Sequence, residues 1–191
     1  MPTTTLDPFD LTEELTFRRE QTVEAARHHL ETRRRVRVNS FVTVVFEDRQ
    51  TLWLRMREME RMISGLDFAP ARRQLDWYER LLPNPGRLLA AVWVSGSSRI
   101  ARKIPTEYGS AELVLISEAG HAVTSNFRSE RASDRMLGQV RWAELAFAES
   151  AREALHDPRI GWKLVLHSKG VPLESVPIPC AVVESLSEDL G

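Results

Sequence analysis

A short run of β-branched and aromatic residues, Phe41-Val42-Thr43-Val44-Val45-Phe46, limits the fold more than any other feature of this chain. Successive side chains of a strand point to opposite faces of a sheet, so a run that is apolar at odd and even positions needs cover on both faces. Such side chains also favour the strand conformation. We therefore predict a strand over residues 38–46, buried on both sides.

Helical spacing of apolar residues precedes and follows this strand. A first helix is predicted over residues 11–35, and the basic run Arg33-Arg34-Arg35 suits its end, where the macrodipole is negative. Asp48 is a candidate N-cap for a second helix over residues 49–64. A third helix, with Tyr78 on its inner face, is predicted to follow. The first half of the chain is therefore predicted to be mainly helical around one buried strand.

The second half of the chain changes to the period of two that is typical of strands. Two hairpins are predicted, with turns at residues 117–120 and 168–170, together with strands over residues 88–94 and 139–147. Pro179 then begins a final helix. Hairpins at short spacing favour an antiparallel sheet. The predicted fold class is α+β: N-terminal helices packed on a largely antiparallel β-sheet, with a C-terminal helix.

Composition narrows the class of protein. The chain has 191 residues, of which 42% are hydrophobic, and this suffices for a single α+β domain over residues 11–191 after a polar N-terminal arm at residues 1–10. The net charge of -1 argues against a nucleic-acid partner. One cysteine, Cys180, rules out an internal disulfide or a thiolate cluster. With neither a signal peptide nor an apolar run of about 20 residues, we expect a cytoplasmic protein with no membrane partner.

The junction between the buried strand and the second helix is the preferred candidate site. Charged groups collect there because the strand ends in Glu47-Asp48-Arg49, and Glu58 lies on the helix that follows. Burial of the Glu47 carboxyl would suit it to acid–base chemistry. The ligand-binding residues predicted on this basis are Glu47, Asp48, Arg49, Glu58, Tyr78 and Arg34. The structural alternative is that Asp48 caps the helix while Glu47 forms an ion pair with Arg33, Arg34 or Arg35.

Metal ligation has weaker candidates, and no metal site is predicted outright. Glu20, Glu24, His28 and Glu31 share one face of the first helix, which could bind a divalent ion. That face lies away from the apolar stripe, so a solvated charged surface is the alternative. His167 and His121 lie near hairpins and are interpreted mainly as exposed polar residues. Cys180 is interpreted as an inert thiol.

The order of motifs resembles a bacterial family of proteins of unknown function, DUF3501, over nearly the whole chain. The residues that carry the resemblance are Arg33-Arg34-Arg35-Val36, Phe46-Glu47-Asp48-Arg49, Thr51, Glu58-Met59, Tyr78, Leu81-Leu82-Pro83, Gly86, Leu89-Ala90, residues 140–145, His167, Val176-Pro177-Ile178-Pro179 and Asp189-Leu190. The resemblance implies a redox or metal context, because members are often encoded near rubrerythrin-like and iron–sulfur proteins. The chain departs from the family pattern at Arg141, where a His is usual, and at Leu166 and Ser168, where an Asp and a Pro are usual.

Three functions follow as hypotheses. The first is an accessory or interaction protein that binds a redox or iron–sulfur protein. The second is a small-ligand-binding protein or enzyme with a polar pocket around Glu47, Arg49, Glu58 and Tyr78. The third is a divalent-metal-binding protein that uses His28 with Glu24, or His167. No cofactor is identified. A homodimer is expected because Trp93 and Trp142 lie in half-polar strands and would leave apolar surface to bury.

Overall fold

A computed structural model describes residues 21–63, 86–94, 111–127, 139–168 and 171–191. Its helices are α1 (Gln21–His29), which continues directly into a π-helix (Leu30–Arg34), α2 (Arg49–Ile63), α3 (Glu149–His156) and α4 (Cys180–Leu190). Its strands are β1 (Arg35–Arg37), β2 (Val42–Glu47), β3 (Arg87–Val94), β4 (Ala111–Ser117), β5 (Ala122–Phe127), β6 (Gln139–Ala146), β7 (Trp162–Ser168) and β8 (Val171–Pro177).

The strands form one eight-stranded sheet in the order β1-β2-β3-β6-β5-β4-β7-β8, and every pairing is antiparallel. β5 bends from one neighbour to the other: its first half pairs with β4 and its second half pairs with β6. The side-chain amide of Asn39, before β2, donates to the Glu174 carboxylate on β8 across 3.1 Å. The sheet is therefore curled, and this hydrogen bond joins its two ends.

The fold class is confirmed for the described residues, which form an antiparallel sheet with helices that include one at the C-terminus. The hairpins predicted around residues 117–120 and 168–170 both join paired strands. Residues 11–20 of the first predicted helix, and the third predicted helix with Tyr78, lie outside the described residues. None of the described helices has the length and apolar character needed to cross a membrane.

The predicted strand is largely buried from Val42 onward, as expected, but its start is wrong, and Phe41 is exposed at 40%. β2 begins at Val42, and the preceding residues form a turn in which the Asn39 side chain accepts hydrogen bonds from the backbone N–H groups of Phe41 and Val42, at 2.9 and 2.8 Å. An asparagine that bonds its own backbone two residues ahead favours a turn over a strand ladder. A short extra strand, β1, therefore precedes the turn, and the first helix ends at Arg34.

Two apolar clusters cover the two faces of β2. Inside the curl, Val44 and Phe46 belong to a cluster with buried members from strands β1 to β7, and α4 adds Val182, Leu186 and Leu190 to it. On the outer face, Val45 packs with Ala26, Leu30 and Leu54 from the helices around it. Since side chains alternate along a strand, Glu47 points to the same outer face as Val45. The fold therefore directs this carboxylate towards α2.

Candidate functional site

Asp48 links β2 to α2 through a reciprocal cap. Its Oδ1 atom accepts a hydrogen bond from the Thr51 backbone N–H at 2.7 Å, and the Thr51 hydroxyl accepts one from the Asp48 backbone N–H at 2.8 Å. The two backbone N–H groups would otherwise have no partners, because the first turn of a helix leaves its N–H groups unpaired. The cap predicted for Asp48 is therefore present, and it fixes one oxygen of this carboxylate.

Glu47 is buried, with 1% of its surface exposed, and it forms an ion pair with Arg55 of α2. The Arg55 guanidinium lies over the indole rings of Trp93 and Trp142, 4.8 and 5.6 Å from their centroids. The expected pairing of Glu47 with Arg33, Arg34 or Arg35 is wrong. Glu47 points to the face that α2 covers, and Arg55 is the cation on that side of the helix.

Glu47 and Arg55 bind mainly each other, so the pair offers few polar atoms to a ligand. Within the described residues, Oε2 of Glu47 and Nε of Arg55 lack hydrogen-bond partners, while Nη2 of the same guanidinium binds Oε1. Nε and Nη2 form the edge that matches the two oxygens of a carboxylate. Both unpaired atoms therefore belong to the same buried ion pair. We interpret the pair as a buried structural contact.

Arg34 lies at the centre of a second charged cluster, which joins the π-helix to α2 and α4. Its exposed fraction is 3%, and its Nε atom lies 2.9 Å from Oδ2 of Asp48. The other end of the guanidinium binds both oxygens of Asp189 and reaches the backbone carbonyl of Ser185. A buried arginine with two carboxylate partners holds three elements in one arrangement.

His29 completes this cluster, and sequence reasoning missed it. Its Nε2 atom lies 2.7 Å from Oδ2 of Asp48 and 3.2 Å from Nε of Arg34. One ring nitrogen cannot donate to the carboxylate and accept from the guanidinium at once. The shorter contact assigns the proton to Nε2, so that the Asp48 oxygen accepts from His29 and forms an ion pair with Arg34. We refer to His29, Arg34, Asp48 and Asp189 as the Asp48 cluster.

The π-helix explains why His29 and Arg34 meet. In an α-helix, residues five apart lie about 140° apart around the axis. In a π-helix, hydrogen bonds join residues i and i+5, so such residues stand one turn above each other. The π-helix begins immediately after His29 and ends at Arg34. The spacing of apolar residues in the sequence does not indicate this change. The histidine near the end of the predicted helix was the one signal that could have pointed to His29.

The remaining predicted residues do not converge on one cleft. Arg49 is exposed, and Glu58 forms an exposed ion pair with Arg27 at 3.3 Å. Tyr78 lies outside the described residues. Of the five predicted ligand-binding residues that the structure describes, only Arg34 and Asp48 are in contact, while Glu47 pairs with Arg55. The pocket around Glu47, Arg49 and Glu58 has no common surface in the described part of the chain.

The weaker candidates for metal ligands lie in two separate parts of the fold, α1 and β7. Glu24 and His28 are exposed on α1, and His167 is half-buried on β7. Among the residues that the structure describes, no group of three or more His, Cys, Asp or Glu side chains could hold a metal ion. Cys180 is exposed at the start of α4.

Arg141 occupies one of the positions at which the chain departs from the family pattern. It lies opposite Val92 on the inner face of the sheet, with its guanidinium 4.0 Å from the centre of the Phe127 ring. Burial of the guanidinium lowers the pKa of Arg141 from its usual value. The position therefore holds a partly desolvated cation above an aromatic ring.

The tryptophans expected to support a dimer do not form an exposed patch. Trp142 has 1% of its surface exposed, Trp162 has 3%, and Trp93 is half-buried. The exposed apolar side chain on the sheet edge is instead Leu173 of β8, at 43%. A β-bulge lies at this point, because Leu166 pairs with Glu174 while His167 pairs with Pro172. Leu173 is the extra residue that the bulge turns outward.

Comparison with known proteins identifies the family and the fold. The model of a family described as "Protein of unknown function (DUF3501)" matches residues 10–190. A crystal structure of a novel protein of unknown function from Burkholderia pseudomallei is similar, with a TM-score of 0.76 and 19% sequence identity. The match covers 98% of this chain and 100% of that one. No curated protein matches the sequence.

Proposed function

This chain belongs to the DUF3501 family of proteins of unknown function, and we propose that it is an accessory protein that binds a partner protein. The bulge on β8 carries the proposal, because it presents Leu173 to solvent at the end of the sheet. Bulges at sheet edges re-aim side chains and are common beside functional surfaces. The family resemblance supplies the class of partner, a redox or iron–sulfur protein.

The mode of binding follows from the prolines of β8. Pro172 and Pro177 stand near the two ends of the strand and have no N–H group to offer to an added strand. Proline and bulges are devices that prevent edge strands from pairing with other chains. The partner is therefore expected to contact side chains around Leu173, rather than to extend the sheet.

Affinity capture from native lysate tests the proposal. The wild-type chain should capture a redox or iron–sulfur protein reproducibly, and Leu173→Asp should lose it because a buried charge at the contact is unfavourable. Thr124→Asp is the matched control, since Thr124 is an exposed strand residue on β5. A wild-type chain that captures no such protein, or a Leu173→Asp chain that captures it equally well, contradicts the proposal.

A second candidate is a small-ligand-binding protein or enzyme at the junction of β2 and α2. The observation that favours it is the meeting of Arg34 and Asp48, two of the predicted site residues, in the Asp48 cluster. In this form the site is centred on Asp48 rather than on Glu47 and Glu58.

Several expectations stay proposals. We propose a cytoplasmic protein whose N-terminal helices form a layer on the sheet, extending the contacts of Ala26 and Leu30 with Val45. Metal binding through His28 or His167 would give stoichiometric metal in elemental analysis of natively purified protein. A homodimer would give twice the monomer mass in light scattering.

A further inference from the structure

We propose that His29 is a ligand-binding residue whose Nδ1 atom accepts a hydrogen bond from the O–H group of a small ligand, with Asp48 and Arg34 as the positioning residues. The proposal goes beyond partner binding, since it assigns a ligand contact to His29 at the end of α1, whereas the proposed partner contact is Leu173 of β8. It depends on three properties of the Asp48 cluster: a fixed carboxylate, an oriented imidazole and a ring nitrogen left over.

The Asp48 carboxylate is fixed by contacts to both of its oxygens. Oδ1 accepts the hydrogen bond from the Thr51 backbone, and Oδ2 contacts His29 at 2.7 Å and Arg34 at 2.9 Å. Arg34 is itself held by Asp189. A carboxylate restrained in this way sets both the orientation and the tautomer of the imidazole that it contacts.

The second ring nitrogen of His29 remains for another partner. Because Nε2 donates to Asp48, the neutral ring carries its lone pair on Nδ1. Both side-chain hydrogen bonds of His29 to described residues use Nε2, and 17% of the side chain is exposed, compared with 4% for Arg34. An imidazole that is oriented by a carboxylate and is partly exposed can accept a hydrogen bond from a ligand through its second nitrogen.

The charge around the ring selects the ligand. Asp48 and Asp189 supply two negative charges and Arg34 supplies one positive charge, so the partners of His29 carry one net negative charge. This field favours a neutral O–H donor, such as a hydroxyl group or water, over an anion. In the complex, the ligand O–H group donates a hydrogen bond to Nδ1, and the ligand stays neutral.

A purely structural role for His29 predicts a different reactivity. If the imidazole only ties α1 to α2, its lower exposure should make it less reactive than His28, the neighbouring histidine, which is exposed. If it is an oriented base, it should react faster in spite of that lower exposure. Both residues lie in the same chain, so their rates can be compared without removing any side chain.

Carbethoxylation by diethyl pyrocarbonate, followed by peptide mass spectrometry, measures the two rates. We expect His29 to react faster than His28 in the wild-type protein, and Asp48→Asn to slow His29 by about tenfold, the lower range for loss of an orienting partner. The rate of His28 should stay constant. Asparagine is also a good N-cap, so the variant keeps the start of α2, which a thermal unfolding curve verifies.

Two results would overturn the proposal. The first is a His29 rate below that of His28 in the wild-type protein. The second is a rate for His29 that Asp48→Asn leaves unchanged while the variant remains folded. Leu173→Asp should have no effect on either rate, so the outcome is independent of partner binding.

Discussion

Two buried arginines show what decides the ion-pair partner of a single residue in this protein. Arg34 and Arg55 are both buried, and each binds a carboxylate from the junction of β2 and α2. Arg34 takes Asp48, whereas Arg55 takes Glu47, because adjacent residues of an extended chain point to opposite sides. The same alternation explains why Glu47 and Asp48, which are next to each other in sequence, face different partners.

Removal of Arg55 should be strongly destabilising. Arg55→Leu leaves the Glu47 carboxylate buried without its cation, and we expect the free energy of unfolding to fall by about 3–5 kcal/mol. Urea unfolding measures this loss. Arg49→Ala is the control, because Arg49 is exposed and its loss should change stability by no more than about 0.5 kcal/mol.

The double variant Glu47→Leu/Arg55→Leu tests the cause. It should be more stable than the sum of the two single losses predicts, because the penalty comes from an unpaired buried charge. Additive losses from the two single variants would show that the two side chains act independently.

At the scale of elements, ends and turns are set by backbone groups. The predicted turn at residues 117–120 is confirmed: the Gly120 N–H donates to the Ser117 carbonyl at 3.1 Å, and the Ser117 hydroxyl accepts from the His121 N–H at 3.0 Å. Gly120 has φ +88°, a conformation that other residues rarely adopt.

After α3, Asp157 accepts hydrogen bonds from Arg159, which lowers the pKa of Asp157 to about 2.

Gly120→Ala should weaken the β4–β5 hairpin through backbone strain alone. A Cβ atom at this position meets no other atom within 4 Å, so the expected loss of about 1 kcal/mol reflects the positive φ. Thermal unfolding measures it. The matched control is Gly161→Ala, where a Cβ would meet the Glu118 carboxylate at 2.8 Å, at the flexible end of an exposed side chain that can move aside. A larger loss at Gly161 than at Gly120 would show that space, not backbone conformation, limits this hairpin.

For the whole molecule, the curl of the sheet decides which surfaces are core. One apolar cluster draws buried side chains from seven of the described strands and from α3 and α4, and Val176 of β8 packs against it. α4 contributes Leu186, which is fully buried, and also carries Asp189 to Arg34. The C-terminal helix is therefore part of the core and of the Asp48 cluster together.

A pair of leucines tests this view of the core. Leu186→Ala should lower the free energy of unfolding by about 2–5 kcal/mol, since it opens a cavity inside the curl. Leu173→Ala, the same change at the exposed bulge, should alter it by no more than about 0.5 kcal/mol. Chemical denaturation compares the two variants. Similar losses would mean that Leu173 is also a core residue and not a contact for a partner.

The sequence by itself determined the elements whose signals are local. The apolar run predicted β2 and its burial on both faces, Asp48 predicted the cap of α2, and the two short turns predicted the hairpins of an antiparallel sheet. These features depend on neighbours within a few residues, where periodicity and turn chemistry operate.

Only the tertiary structure decided which distant residues form ion pairs and hydrogen bonds with each other. Glu47 had several arginines available in sequence, and the face covered by α2 selected Arg55. His29 lies beside Arg34 because the helix widens to a π-helix after His29, which no period in the sequence indicates. Asp189 reached Arg34 because the core placed α4 beside it. Ion pairs between distant residues follow from packing geometry, and that geometry is set by the whole chain rather than by its local patterns.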